Sequence, residues 1–398
     1  MRIGIVTTWF ERGAAYVSKI YMEALQKEGH TVFIFARGGE SHPSKKDKKW
    51  NQDNVTRSEH YFDSKISKRD ITNWIKQNDI ESILFNEQRE YTILPYLKDK
   101  FPNITLGAYV DYYTENTLKF FNFYDFVICN TRRHLQAMDF HKQKYYIPWG
   151  TDVELYKPRY EKHEQLTFFH SVGMSPRKGT DILVRAFIEG KCYEKSKLII
   201  HTQIPIEKVC DYKKQDLLKY NVEIIEETVT APGLYYKGDV YVYPTRLDGL
   251  GLTMYEALAC GLPMITTDFP PMNEVGDESC VTRVKVKDFY CRSDAYYFPM
   301  ALCDEDSLIQ CMNYYISNRD KIDKYKKNAR KFALDHYNIQ KQSKNVADIF
   351  INSKSIPLNR ELQKQCKKHS IESFNIVKWL ANFSFIRKYF DILLMLHK

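Results

Sequence analysis

The sequence predicts an α/β protein whose strands and helices alternate into doubly wound domains. Two stretches and the chain length carry that expectation. From Met1 to about Tyr156, short apolar runs alternate with helical patterns, as parallel strands joined by crossover helices do. Between Asp239 and Glu274, a strand, a glycine-bearing loop, a helix and a second strand follow one another as a βαβ unit. The 398 residues suffice for two or three domains, and a hydrophobic content of 43% supplies full cores.

The chain opens on an apolar strand, Arg2-Ile3-Gly4-Ile5-Val6. A polar loop from Trp9 to Ala15 leads to a helix expected over Tyr16 to Lys27, stopped by Gly29, and Thr31 to Phe35 forms the next strand. Gly13 lies in that loop, facing the carboxyl ends of the strands where doubly wound sheets bind ligands. A site role and a plain turn are equally open to it. The region from Arg37 to Ser67 is polar and rich in lysine, including Lys45, Lys46, Lys48 and Lys49, and reads as solvated loop. Ser82 to Asn86, Thr105 to Val110 and Phe126 to Asn130 read as further strands. Asp111 ends the second of these, where an acid serves equally well as a helix cap or a catalytic group.

In the second half, Thr167 to Gly173 forms a strand, Met174-Ser-Pro-Arg177-Lys178-Gly179 a turn, and Thr180 to Phe187 a helix. Most such basic turns are merely exposed, but this one sits between a strand and a helix mouth. An anion there would meet two cations, each worth roughly 1.5–3 kcal/mol in charge-assisted hydrogen bonding. Lys197 to His201 and Val222 to Ile225 continue the sheet, with His201 placed either near a ligand or as a satisfied polar residue.

The βαβ unit at 239–274 is the most informative stretch. Strand Val240 to Tyr243 stops at Pro244, and the loop Asp248-Gly249-Leu250-Gly251-Leu252 feeds a helix from Thr253 to Cys260 that Gly261 ends. Pro263 to Thr267 is the return strand. Unpaired N–H groups and the helix dipole make such a start an anion site, and Gly249 and Gly251 let a ligand approach the backbone. Asp248 and Glu256 flank the loop with seven residues between them. Glu256, about one turn inside the helix, has the two acceptor oxygens that a vicinal diol such as ribose requires. On spacing alone, Glu256 reads equally as an acid complementing the dipole.

Asp304-Glu305-Asp306 offers a D-x-D string of the kind that holds a divalent ion, but it precedes a helical pattern and reads as capping acids. No required metal is expected. The nine cysteines form no C-x-x-C pair, so neither a zinc site nor a disulfide framework is indicated, which suits a reducing cytosol. No secretion signal is visible at the start and no apolar run reaches the roughly 18 residues of a spanning helix. Lys321 to Ile351 reads as a kinked helical pair. The last stretch, 351–398, holds nine Lys and Arg against three acids, a net +6 of the chain's +9, interleaved with Trp379, Phe383, Phe385, Tyr389 and Phe390. An interfacial helix on anionic lipid and a helix packed on the first domain would both show this mixture.

The 248–263 segment resembles the signature of the retaining glycosyltransferases of family 4, usually written E-G-F-G-L-P-x-x-E-A-x-A-C-G-x-P. Gly249, Gly251, Leu252, Glu256, Ala257, Ala259, Gly261 and Pro263 match, whereas Asp248 replaces Glu and Thr253 replaces Pro. Val172 to Gly179 resembles the family's V-G-x-x-x-x-R-K-G element, with Met174 where many members have arginine. Tyr146-Ile-Pro-Trp-Gly-Thr-Asp152 is similar to the stretch that closes the family's first domain. Gly13 stands where members often carry a double glycine, and Asp111 near where they often place a histidine.

The resemblance implies a GT-B fold: two Rossmann-like domains, 1–156 on the acceptor side and 157–335 for the nucleotide sugar, facing across a cleft. A crossing helix and the basic, aromatic tail follow at 336–398. It implies transfer of a sugar from a nucleotide diphosphate donor, a UDP-sugar favoured, to a glycan or lipid-linked acceptor, with retention of configuration. Asp248, Arg177, Lys178 and Asp111 are then the catalytic candidates. Gly13, Gly249, Leu250, Gly251, Leu252, Thr253 and Glu256 would hold the donor. The expected setting is cytoplasmic, in cell-surface polysaccharide or glycolipid synthesis, with an anionic membrane surface open to 351–398 and no nucleic-acid partner. A nucleotide-sugar epimerase and a non-catalytic partner subunit are the competing readings on the same fold.

Overall fold

The computed structural model describes residues 1–10, 13–37, 48–58, 65–159 and 161–372. Lys45 and Lys46, and the aromatic stretch from Trp379 onward, lie outside the described residues. Two compact units divide the chain: one holds 1–130, 134–147 and the residues from 342 on, the other 131–133 and 148–341.

The first unit is built from β1 (Arg2–Thr7), α1 (Gly13–Lys27), β2 (Thr31–Ala36), β3 (Val55–Arg57), α2 (Lys68–Gln77) and β4 (Ser82–Asn86). It continues through α3 (Ile93–Lys100), β5 (Thr105–Tyr109), α4 (Glu115–Leu118), β6 (Phe126–Cys129), α5 (Arg132–Ala137, its first two residues counted with the other unit) and β7 (Lys144–Tyr146). The strands form one parallel sheet in the order β3-β2-β1-β4-β5-β6-β7. Every residue of β4 and β6 is buried, as a sheet covered on both faces requires. Helix α1 starts at Gly13, three residues before the sequence suggests, because the Asn86 side chain donates to the Ala14 carbonyl at 2.8 Å and holds the extra turn.

The second unit repeats the plan: β8 (Leu166–Gly173), α6 (Thr180–Glu189), β9 (Ser196–Thr202), α7 (Lys214–Leu217), β10 (Val222–Glu226), β11 (Val240–Tyr243), α8 (Leu252–Ala259), β12 (Met264–Thr267) and β13 (Val281–Val284). Its six strands are parallel, in the order β10-β9-β8-β11-β12-β13. An antiparallel pair, β14 (Val286–Tyr290) and β15 (Met300–Cys303), precedes α9 (Glu305–Ser317) and α10 (Ile322–His336). Phe168, Leu198, Ile200, Val240, Val242 and Ile265 from the sheet meet Leu183, Phe187 and Met312 from the helices in one buried core. Asp304 caps α9 by accepting from the Ser307 N–H at 2.8 Å, and Glu305 pairs with Arg185 at 2.9 Å, so both are engaged at the helix start.

The chain closes with α11 (Ile339–Asn352) and α12 (Arg360–Glu372). From 342 on these belong to the first unit, where Phe350 packs edge-on against Phe126 at 5.2 Å. The fully buried Asp125 carboxylate is paired with Lys98 and accepts the backbone N–H of Ile356 at 2.6 Å and of Leu106 at 2.7 Å. Arg360 grips Asp99 with both terminal nitrogens, at 2.7 and 2.8 Å. The described part of the tail is thus a packed element of the first unit.

Candidate functional site

The strand order of the second sheet reverses between β8 and β11, and open α/β sheets bind ligands outside the carboxyl ends at such a point. The loops leaving those two strands are 174–179 and 244–251, and they are laced together. The Arg177 carbonyl accepts from the Arg246 N–H at 2.8 Å and the Thr245 hydroxyl at 3.1 Å. Arg246 also reaches the Pro176 carbonyl at 3.0 Å and pairs with Asp181. Gly179 is left-handed, at φ 76°, and a Cβ there would lie 2.1 Å from the Pro244 carbonyl oxygen, so only glycine lets the loops meet. Beneath them, buried His170 bridges the Val242 carbonyl at 2.7 Å and the Thr180 hydroxyl at 3.0 Å; burial pushes its pKa down to about 4.

Lys178, Asp248 and Tyr243 touch one another in this crossing. The Lys178 ammonium contacts the Asp248 carboxylate and the Tyr243 hydroxyl, and that hydroxyl also meets Asp248. The second Asp248 oxygen accepts the Gly249 N–H at 3.1 Å. Burial alone would raise the Asp248 pKa, but the Lys178 charge and the hydrogen bonds from Lys178 and Tyr243 outweigh it and leave it below the usual carboxylate range. Arg177, beside them, is held by Ser175 at 3.2 Å.

Helix α8 begins on Gly251, left-handed at φ 78°, so Leu252 and Thr253 stand in the first turn. The helix starts one residue earlier than the sequence suggests because that glycine makes the entry turn. Glu256 lies farther along, where its carboxylate accepts from the Tyr235 hydroxyl. Burial raises its pKa, against hydrogen bonds from Tyr235 and Tyr156. Tyr235, Tyr241 and Tyr243 form a row with ring centroids 5.8 and 5.6 Å apart, running from the partner of Glu256 to the partner of Asp248. Arg133 holds the loop from another side, donating to the Asp248 carbonyl at 2.7 Å and the Pro270 carbonyl at 2.8 Å.

Of the residues expected from sequence, Arg177, Lys178, Asp248, Gly249, Leu250, Gly251, Leu252 and Thr253 thus belong to the two loops and the helix start they feed. Glu256 joins through the tyrosine row. Gly13 and Asp111 belong to the first unit: Gly13 is exposed at the first position of α1, and Asp111 is half-buried just after β5. His201 is satisfied, its Nε2 sharing 3.0 Å with the Glu227 carbonyl. Sequence reasoning missed Tyr243, Tyr235, Arg133, Arg246 and His170. For Tyr243 a signal existed, since Tyr241 and Tyr243 alternate on one face of β11 as it enters the loop. Among the described residues no three His, Cys, Asp or Glu side chains group to hold a metal ion, and no helix is long and apolar enough to cross a membrane.

Two doubly wound parallel sheets with C-terminal helices define the GT-B class. Residues 164–290, which contain the second sheet's switch point, match the family model described as Glycosyl transferases group 1. The chain is similar to the O-antigen biosynthesis glycosyltransferase WclY of Escherichia coli, 27% identical over 110 residues, 27% of this chain. That match spans only 30% of the relative's length. Among solved structures, a glycosyltransferase from Rickettsia africae superposes with a TM-score of 0.68 at 15% identity, covering 88% of this chain and 99% of the other. HepE of Anabaena, solved in complex with UDP-glucose, gives 0.62 at 14% identity, covering 87% and 98%. At these identities the structures speak to the fold.

Proposed function

We propose that this protein is a retaining glycosyltransferase of family 4 type, moving a hexose or related sugar from a nucleoside diphosphate to a glycan or lipid-linked acceptor. The observation that carries this reading is the laced pair of loops at the second sheet's switch point. They set Lys178 and Arg177 beside a glycine-led helix start, within the segment that matches group 1 glycosyltransferases. When the bond between the anomeric carbon and the phosphate oxygen breaks, the electron pair leaves with the diphosphate. Cations and main-chain N–H groups already in place stabilise that charge without reorganisation. A metal ion has no necessary part in this account. Glu256, held by Tyr235, supplies two acceptor oxygens for the ribose hydroxyls.

The UDP–glucose complex of HepE supports a UDP-sugar as donor, and the likeness to WclY supports a polysaccharide as product. A cytoplasmic setting, with the acceptor presented at the membrane, fits that chemistry. Titrating the protein with uridine, guanosine and adenosine diphosphates and their sugars, by calorimetry, tests the reading. One nucleotide should bind clearly best, and its sugar should be consumed when acceptor is added. Binding of none overturns the donor site, and epimerised donor formed without acceptor would replace transfer with epimerisation.

A further inference from the structure

The β14–β15 pair leaves the edge strand β13 at its carboxyl end, the end of the parallel sheet that carries the loops 174–179 and 244–251. Two ties set it beside them. The Ala301 N–H of β15 donates to the Arg246 carbonyl at 2.8 Å. The one guanidinium of Arg133 donates to the Asp248 carbonyl at 2.7 Å and the Pro270 carbonyl at 2.8 Å, which brings the loop after β12 against the Asp248 loop. Phe269 is the residue before Pro270, and its ring packs on Phe289 of β14 with centroids 5.0 Å apart. Phe289 and the next residue, Tyr290, are 50% and 43% exposed, so these rings are not core.

Aromatic rings grouped at the surface beside a binding site mark an interaction surface. Charge speaks against lipid as its occupant: between 286 and 299, Lys287 and Arg292 are matched by Asp288 and Asp294, so no positive excess draws the hairpin to an anionic membrane. A sugar ring fits better. One face of a pyranose presents C–H bonds, whose slight positive charge suits the negative face of an aromatic ring, while the hydroxyls stay in water.

We propose that Phe289, backed by Phe269, is the stacking platform for a sugar ring of the acceptor. The inference rests on the transferase reading above and deepens it: the part of the acceptor that meets the second unit is carbohydrate, held by its apolar face next to the loops that hold the donor.

The experiment exposes the full chain, with and without uridine diphosphate, to the methyl glycosides of glucose, galactose, mannose, rhamnose and N-acetylglucosamine. Saturation-transfer NMR reads which of them binds and through which protons. Wild type, Phe289→Ala and Phe289→Trp are compared, with thermal melts to check folding and nucleotide titrations alongside. At least one glycoside should bind wild type through the C–H protons of one ring face. Phe289→Ala should weaken it roughly three- to tenfold, Phe289→Trp should keep it, and nucleotide affinity should be the same in all three. No glycoside bound by wild type, or equal binding by the alanine variant, overturns the inference and leaves the donor site standing. A nucleotide affinity that falls together with glycoside binding puts the rings in the donor site and overturns it as well. So does sedimentation with phosphatidylglycerol vesicles that the alanine variant loses, which would make lipid the occupant. A protein that binds a glycoside through Phe289 but no nucleotide keeps the platform and loses the donor reading.

Discussion

In the first unit the strand order reverses between β1 and β4; in the second it reverses between β8 and β11. The two points have the same topology and different contents. In the first unit, α1 is tied down by a buried polar network: Ser18 donates to Thr7 at 2.8 Å, and Asn86 donates to Ser18 and to the Ala14 carbonyl, both at 2.8 Å. In the second, helices α6 and α8 each start from a left-handed glycine, and the loops before them carry Arg177, Lys178 and Asp248. The strand order marks where a ligand fits, but the turn residues decide whether two cation-bearing loops or a buried polar network stands there.

Gly179→Ala should break the comparison most severely. The new Cβ would meet the Pro244 carbonyl at 2.1 Å in a left-handed backbone, and neither partner is a side chain that can swing away. Strain and overpacking together are expected to cost about 3 kcal/mol and to separate the loops. Thermal melts should therefore drop by several degrees, and nucleotide binding should be lost in whatever fraction still folds.

Next in size is a matched pair of substitutions, one at each switch point. Lys178→Ala should lower nucleotide affinity and turnover roughly ten- to a hundredfold, the loss of one charge-assisted hydrogen bond to diphosphate, with a smaller fall in melting temperature from the Asp248 carboxylate left without its cation. Asn86→Ala should do the reverse: about 1–3 kcal/mol of stability lost from an unmade buried network, and nucleotide affinity unchanged. If Asn86→Ala weakened binding as much as Lys178→Ala, the division of labour between the two sheets would be wrong.

Much of this was legible in the chain. Strands Ser82–Asn86 and Val240–Tyr243 fall where their apolar runs place them, because a buried parallel strand is written as a local pattern. The two loops were legible for the same reason, as glycines and cations between a strand and a helix. Illegible were the contacts that join distant segments. Arg133 on the Asp248 carbonyl spans 115 residues and Ile356 on Asp125 spans 231, and neither residue is unusual in its own neighbourhood. Tyr243 was passed over because a tyrosine in an apolar strand reads as core; it is fully buried, and its hydroxyl meets Lys178 and Asp248 at the loop.

The smallest effect has the most definite sign, and it separates the two carboxylates of α8 and its loop. Asp248 is depressed, chiefly by Lys178 once burial is overcome, so its stabilising contribution is present above the ordinary value of 3.8 and fades as pH falls through its folded pKa. Glu256 is raised by burial, so the folded state holds its proton more tightly than the unfolded chain does, and stability is lost as pH rises from 4.5 through the folded pKa. Thermal melts between about pH 3 and pH 7 should then show opposite slopes when each variant is referred to wild type. Asp248→Asn falls further behind as pH rises, because the wild type gains an ion pair that the variant lacks. Glu256→Gln gains on the wild type over its window, because the amide accepts from Tyr235 and carries no charge into the buried site. Parallel slopes would mean that Glu256 is as well paired as Asp248, which would require a cation that the tyrosine row does not provide.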